Sequence, residues 1–194
     1  MSRSTPRRPA RVKSKGSFHI VASRLNKPYV DGLVAHAKAE LRALAPKVAV
    51  SLHRVPGAFE IPVIVRELAA RNAADAIIAC GVILKGETDH AQNLSRSVTD
   101  ALQGIAIEHG VPVINAVLSF KNDTQARERC LGNKINRGSE AARAAMEIAE
   151  TMSKLRGRSQ RKMHPHLNPL PEGESDDGVA GEGTSRGSKS KRNG

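Results

Sequence analysis

"AIIACGVILKGETDHAQN", residues 76–93, decides the reading of the whole chain. Residues 76–83 form an apolar run with neither a charge nor a turn-former at its start. Such a run fits a strand buried on both faces, as in a parallel sheet. It breaks at Lys85-Gly86-Glu87-Thr88, and helical periodicity begins at His90. A buried strand passing through a short glycine-bearing loop into a helix is half of a βαβ unit.

Outward from this stretch the same alternation recurs. "FHIVAS" (18–23) reads as a strand, and 29–44 carries Val30, Leu33, Val34, Ala37, Leu41 and Leu44 on one helical stripe. Residues 48–55 alternate as a strand does. Residues 61–71 read as a helix, with Pro62 tolerable in its first turn. Residues 90–110 form a helix closed by Gly110, and 112–119 form a strand. Residues 123–132 and 138–155 are helices. The order β-α-β-α-β-α-β-α-α predicts an α/β three-layer sandwich, with a four-stranded, mostly parallel sheet between helices. Open sheets of this kind bind ligands beyond the carboxyl ends of their strands. The loops to search are therefore 23–28, 55–60, 83–90 and 119–124.

Charge separates the ends from the middle. The chain of 194 residues has a net charge of +12, yet residues 17–150 hold 16 basic and 14 acidic side chains. The excess lies in residues 1–16, with six Lys/Arg and no acid, and in 151–194, with nine against five. Both ends are polar, rich in Gly, Ser or Pro, and expected to be disordered: a basic arm over 1–17 and a tail over 157–194. The folded domain is then 18–156. With three Phe, one Tyr and no Trp, a nucleic-acid surface built on base stacking is not expected. The two cysteines, Cys80 and Cys130, form neither a disulfide framework nor a zinc spacing. No apolar run is long enough to span a membrane and the start carries no signal-peptide pattern, so a cytoplasmic protein is expected.

Two loops carry chemistry. In 83–90, backbone N–H groups at Gly86, Glu87 and Thr88 converge at a helix start and suit an anion. The same loop also fits an ordinary βα turn capped by Thr88 or Asp89. His90 opens the helix, where the positive end of the dipole favours an uncharged imidazole, the form useful in general acid/base work near neutrality. In "VPGAFE" (55–60), Pro56-Gly57 make a turn, Ala58 and Phe59 offer amides and one ring, and Glu60 starts a helix. Arg129 and Arg137 flank a short linker and could clamp a phosphate or be solvated helix charges.

Together "FHIVASRLN", "VPGAFEIP", "GVILKGETDH", "PVINAVLS", "TQARERC" and "NRGSEAARAAMEIA" closely resemble the lumazine synthase family over about residues 18–155. The resemblance implies a flavodoxin-like fold and a cofactor-free condensation. In that reaction 5-amino-6-(D-ribitylamino)uracil and 3,4-dihydroxy-2-butanone 4-phosphate give 6,7-dimethyl-8-ribityllumazine, the penultimate step of riboflavin biosynthesis. It implies that Leu25, Ala58, Phe59, Glu60, Gly81, Val82, Ile83 and Asn115 hold the ribitylaminouracil. Gly86, Glu87, Thr88 and Arg129 would bind the phosphate, His90 would shuttle protons, and Arg137 would stand where the family has a lysine. It also implies pentamers or a 60-subunit shell with sites between subunits, and riboflavin synthase as the candidate heterologous partner. Leu25 departs from the pattern, since the family usually has an aromatic there. That departure motivates the alternative of a non-catalytic lumazine- or flavin-binding relative, as the basic ends motivate a shell-forming scaffold.

Overall fold

The computed structural model describes residues 8–9, 16–86 and 88–163, with side chains described as far as residue 157. Four strands, β1 (Ser17–Ser23), β2 (Ala49–Val55), β3 (Ala76–Leu84) and β4 (Val113–Phe120), alternate with helices. These are α1 (Lys27–Leu44), α2 (Ile61–Ala70), α3 (His90–His109), α4 (Asp123–Cys130) and α5 (Arg137–Met163). The sheet order is β2-β1-β3-β4, and every pairing is parallel. The predicted element order and sheet type are therefore those observed.

Parallel strands need both faces covered, and two apolar cores do this. One joins Phe18, Ile20, Ile78 and Phe120 to α1, α4 and α5 through Leu33, Leu41, Ala126 and Ala142. The other joins Val21, Ile77 and Ala79 to α2 and α3 through Ile61, Val65, Val98 and Leu102. β3 lies between β1 and β4 and is buried from Ala76 to Ile83, which explains its unbroken hydrophobicity. α3 ends at Gly110, whose φ of 62° is the left-handed cap that glycine adopts without strain.

Two boundaries differ from expectation. α5 runs to Met163, past the expected end at Leu155. Gly157 inside it costs only about 1 kcal/mol relative to alanine, and the Arg, Gln and Lys around it are good helix formers. The arm is not wholly detached either. The Arg8 guanidinium meets the Glu40 carboxylate in two hydrogen bonds of 2.8 and 3.1 Å, and Arg143 donates to the same carboxylate at 2.8 Å. Burial alone would push the Glu40 carboxyl up, but these two guanidiniums hold it below its ordinary value. Residues 1–7, 10–15, Glu87 and 164–194, including most of the expected arm and tail, lie outside the described residues.

The α2-side face of β1 and β2 carries a histidine pair invisible to periodicity. His19 Nδ1 and His53 Nε2 are 2.9 Å apart, with ring planes within 8° and centroids 5.2 Å apart. That separation is little more than the N···N gap plus two ring radii, so the rings meet edge to edge in one plane. The other ring nitrogen, His19 Nε2, lies 3.4 Å from Ser17 Oγ. Burial, and then the neighbouring His53, lower the His19 pKa below 6.5. Above pH 6.5 both states of the chain hold His19 neutral and the bond is intact. Below it the unfolded chain takes up a proton that the folded one resists, so stability falls as the pH drops toward the folded value. Denaturant unfolding at pH 7.5 and pH 5.5 should show a smaller acid loss for His19→Gln than for the natural chain, and an equal loss would remove the pair from this role.

Candidate active site

The chain runs from β1 to β2 in one direction across the sheet and from β3 to β4 in the opposite direction. The crevice between the carboxyl ends of β1 and β3 is thus the switch point where open α/β sheets take ligands. Three predicted loops surround it: 24–26 after β1, 56–60 after β2, and 85–89 after β3.

Loop 24–26 is held from two sides. Asn26 has φ 52°, ψ 41°, a left-handed conformation asparagine tolerates better than most residues. Its Nδ2 donates to the Val82 carbonyl at 2.8 Å, bridging the ends of β1 and β3. From β2, Arg54 reaches the Ser23 carbonyl at 3.4 Å and the Asp31 carboxylate at 2.5 Å. Lys27, the stronger influence, and Arg54 hold the Asp31 carboxyl below its ordinary range. Neither Asn26 nor Arg54 was singled out from sequence. The available signal was an asparagine directly before the Lys27-Pro28 helix start.

In loop 56–60, Glu60 Oε2 accepts from the Gly57 amide at 2.8 Å, so one carboxylate oxygen is committed to the loop itself. Ala58 is buried. Phe59 and Leu25 are each 65% exposed, and the Leu25 side chain lies against Gly57. Two large apolar side chains thus stand open on adjacent loops, an arrangement that suits a flat, partly apolar ligand.

Loop 85–89 begins with the Lys85 amide bonded to the Phe120 carbonyl at 2.9 Å. Gly86 has no left-handed φ, and a Cβ there would meet nothing within 4 Å. The turn itself does not require glycine, and the space before it is open. Asp89 occupies the N-cap of α3, but its side chain makes no capping hydrogen bond. The first-turn amides of α3 consequently have no side-chain acceptor of this kind and face outward beside exposed His90. Such a helix start suits an anion. A cavity of about 490 Å³ opens on the β4 side of this loop, between Lys85, Thr88, Gln92, Arg96, Thr99 and Lys121. It shares Lys85, Thr88 and Asp89 with the loop but no residue with loops 24–26 and 56–60, so loop chemistry rather than cavity size locates the candidate site.

The other predicted residues are placed differently. Val82 and Ile83 turn their side chains into the two cores, so at this edge β3 offers its backbone. Gly81 is buried with them. Asn115 pairs with Ala79, four residues before the register of Ile83 with Ser119, which is about 13 Å along the strand. Its amide donates to Thr99 Oγ1 at 3.1 Å, and Thr99 belongs to α3. Arg129 and Arg137 belong to the layer of α1, α4 and α5, on the sheet face opposite α3. Arg137 is ion-paired with Glu140, whereas the Arg129 Nη1 is buried with no hydrogen-bond partner among the described residues. Burial pushes the Cys80 and Cys130 thiols up to about 12, so neither is a thiolate nucleophile near neutrality. Among the described residues, no group of three or more His, Cys, Asp or Glu side chains is placed to hold a metal ion, and no helix is long and apolar enough to cross a membrane.

Comparison with known proteins decides the family. The family model described as 6,7-dimethyl-8-ribityllumazine synthase matches residues 15–153. The chain belongs to the lumazine synthase family. Among relatives carrying that enzyme name, one from Halorhodospira halophila is 38% identical over 139 residues, covering 71% of this chain and 89% of the relative. One from Xanthomonas oryzae pv. oryzae is 37% identical, covering 71% and 90%, and one from Stenotrophomonas maltophilia is 34% identical, covering 75% and 94%. The match spans every strand, all three loops and both arginines. The basic ends fall mostly outside it.

Proposed function

We propose that this chain condenses 5-amino-6-(D-ribitylamino)uracil with 3,4-dihydroxy-2-butanone 4-phosphate, forming 6,7-dimethyl-8-ribityllumazine and releasing phosphate and water. The observation that carries this reading is the family match over 15–153, together with three intact loops around the β1/β3 switch point. The pyrimidine lies against Leu25 and Phe59, with its ribityl chain toward Ala58 and Glu60. The sugar-derived phosphate sits on the amides of loop 86–88. The ring amine attacks the ketone to form a Schiff base, phosphate leaves, and tautomerisation and ring closure complete the product. None of these steps needs a strong nucleophile. Holding the two reactants in register contributes up to about 7–11 kcal/mol, and His90 carries protons between the reacting atoms.

The site is completed by a second copy of the chain. Arg129 lies on the layer opposite α3 and leaves Nη1 buried without a partner among the described residues, and Asn115 lies far down β4. The phosphate held on a neighbouring copy's loop 86–88 is the anion that Arg129 would serve, and Asn115 would edge the neighbour's pyrimidine. Val63 on α2 and Ile107 on α3, 69% and 73% exposed, supply apolar surface for self-association. A pentamer, closed singly or within a 60-subunit shell, meets this requirement. The soluble substrates make the cytoplasm its setting and riboflavin synthase the natural consumer of its product.

Mixing both substrates with the purified protein should produce lumazine absorbance well above the spontaneous rate. Tight lumazine binding without turnover would select a non-catalytic relative instead. Leu25→Phe restores a ring at the pyrimidine wall. It should lower the KM for the uracil substrate roughly two- to tenfold, on the scale of an aromatic pair's excess over plain burial. An unchanged KM would place the pyrimidine elsewhere.

A further inference from the structure

The segment between Arg129 and Arg137 is organised by one side chain that the reaction does not touch. Asn136 is 5% exposed. Its Nδ2 donates to the Cys130 carbonyl at 2.9 Å and to the Gly132 carbonyl at 3.0 Å. Its Oδ1 accepts from the Gly138 amide at 2.9 Å and the Ser139 amide at 3.4 Å. An asparagine amide has two donors and two acceptor positions, and all four are used. The backbone carbonyl of the same residue accepts from the Glu140 amide at 3.1 Å, starting α5. One buried amide thus ties the last turn of α4 to the first turn of α5. The tied segment is also set against α1: a Cβ on Gly32 would stand 2.6 Å from the Cys130 carbonyl oxygen, and one on Gly138 would stand 2.2 Å from the Leu33 carbonyl oxygen.

We infer that Asn136 is a positioning residue for the phosphate subsite. It clamps the end of α4 and so sets the position of Arg129, one residue before the bonded Cys130 carbonyl. This rests on the reading of Arg129 as the phosphate-binding arginine. A helix end left free would let the guanidinium move by more than a hydrogen bond tolerates, weakening phosphate capture while leaving the pyrimidine wall of Leu25 and Phe59 untouched.

Asn136→Asp keeps an acceptor for the Gly138 and Ser139 amides and sets a carboxylate against the Cys130 and Gly132 carbonyls. Asn136→Ser keeps a capping oxygen for α5 and removes both donors without adding charge. Either should raise the KM for the butanone phosphate about tenfold, the loss of roughly one charge-assisted hydrogen bond. The KM for the uracil substrate and kcat should change less than twofold, and inhibition by inorganic phosphate should weaken in parallel. In an Arg129→Ala background, Asn136→Ser should add nothing further to that KM, a non-additivity that a general loss of stability would not produce. Where Arg129→Ala raises the KM and neither Asn136 variant does, the positioning role is overturned and the site reading stands. Where Arg129→Ala itself has no effect, both fall. On the natural protein, inorganic phosphate should slow amide exchange at Gly138 and Ser139, and unchanged exchange there would also overturn the role.

Discussion

His90→Ala is expected to lower kcat about 100- to 10,000-fold, the range supplied by a positioned general acid/base, with both KM values within a few-fold of the natural chain. His90 is the first residue of α3, exposed at the carboxyl edge of the sheet near Gly86 and Thr88. In the proposed reading its backbone belongs to the helix start that faces the phosphate, and its ring stands where the ketone and amine would meet. Removing the ring leaves those amides in place, so binding survives. It removes the group that carries protons during Schiff-base formation, phosphate loss and ring closure. The remaining rate reflects proximity alone, which does not depend on the imidazole. Steady-state rates with each substrate varied in turn test this. A kcat within twofold of the natural value would remove His90 from the chemistry, while a large KM change at unchanged kcat would make it a binding residue.

Gly138→Ala should cost about 3 kcal/mol of stability or more, the upper end of overpacking. A Cβ at this position would lie 2.2 Å from the Leu33 carbonyl oxygen, 2.9 Å from its carbon and 3.0 Å from Leu33 Cα. All three atoms are backbone within α1, and Leu33 is itself fully buried. No flexible side-chain tip can swing aside, so α5 must slide away from α1 along a core lined by Leu33, Ala37, Ala141, Ala142 and Ala145. Such a loss lowers the thermal midpoint by roughly 6–12 °C for a domain of this size. Thermal unfolding at one fixed protein concentration measures it, since self-association also shifts the midpoint. A shift of less than 1 °C would mean that the helices part without cost, and that the close approach is incidental. The same displacement should weaken phosphate capture, because Gly138 is also one of the four groups bonded to Asn136.

Much of this architecture was legible before any coordinates. A strand buried on both faces must be apolar throughout, and 76–83 announces itself that way. Helical stripes repeat at 3.6 residues wherever one face is covered, and 29–44 keeps that period. Gly110 closes α3 because a left-handed residue is needed just past a helix end. The loops at 24–26, 56–60 and 85–89 follow from the rule that ligands meet open sheets at the carboxyl edge. These are local or nearly local constraints, and each leaves its mark on neighbouring residues in the chain.

Other features depend on which surfaces meet, and composition carries no trace of that. The order β2-β1-β3-β4 puts Arg129 behind the sheet from His90 and Asn115 far from the edge. The pairing of His19 with His53 depends on the register of β1 against β2. Asn136 reads as an ordinary polar residue in a loop until its four partners are seen, and Gly138 as an ordinary glycine until Leu33 is found against it. Periodicity reports which side of an element is covered. Only packing in three dimensions decides what covers it, and that choice brings three short loops to one edge of the sheet and gives one buried amide its four partners.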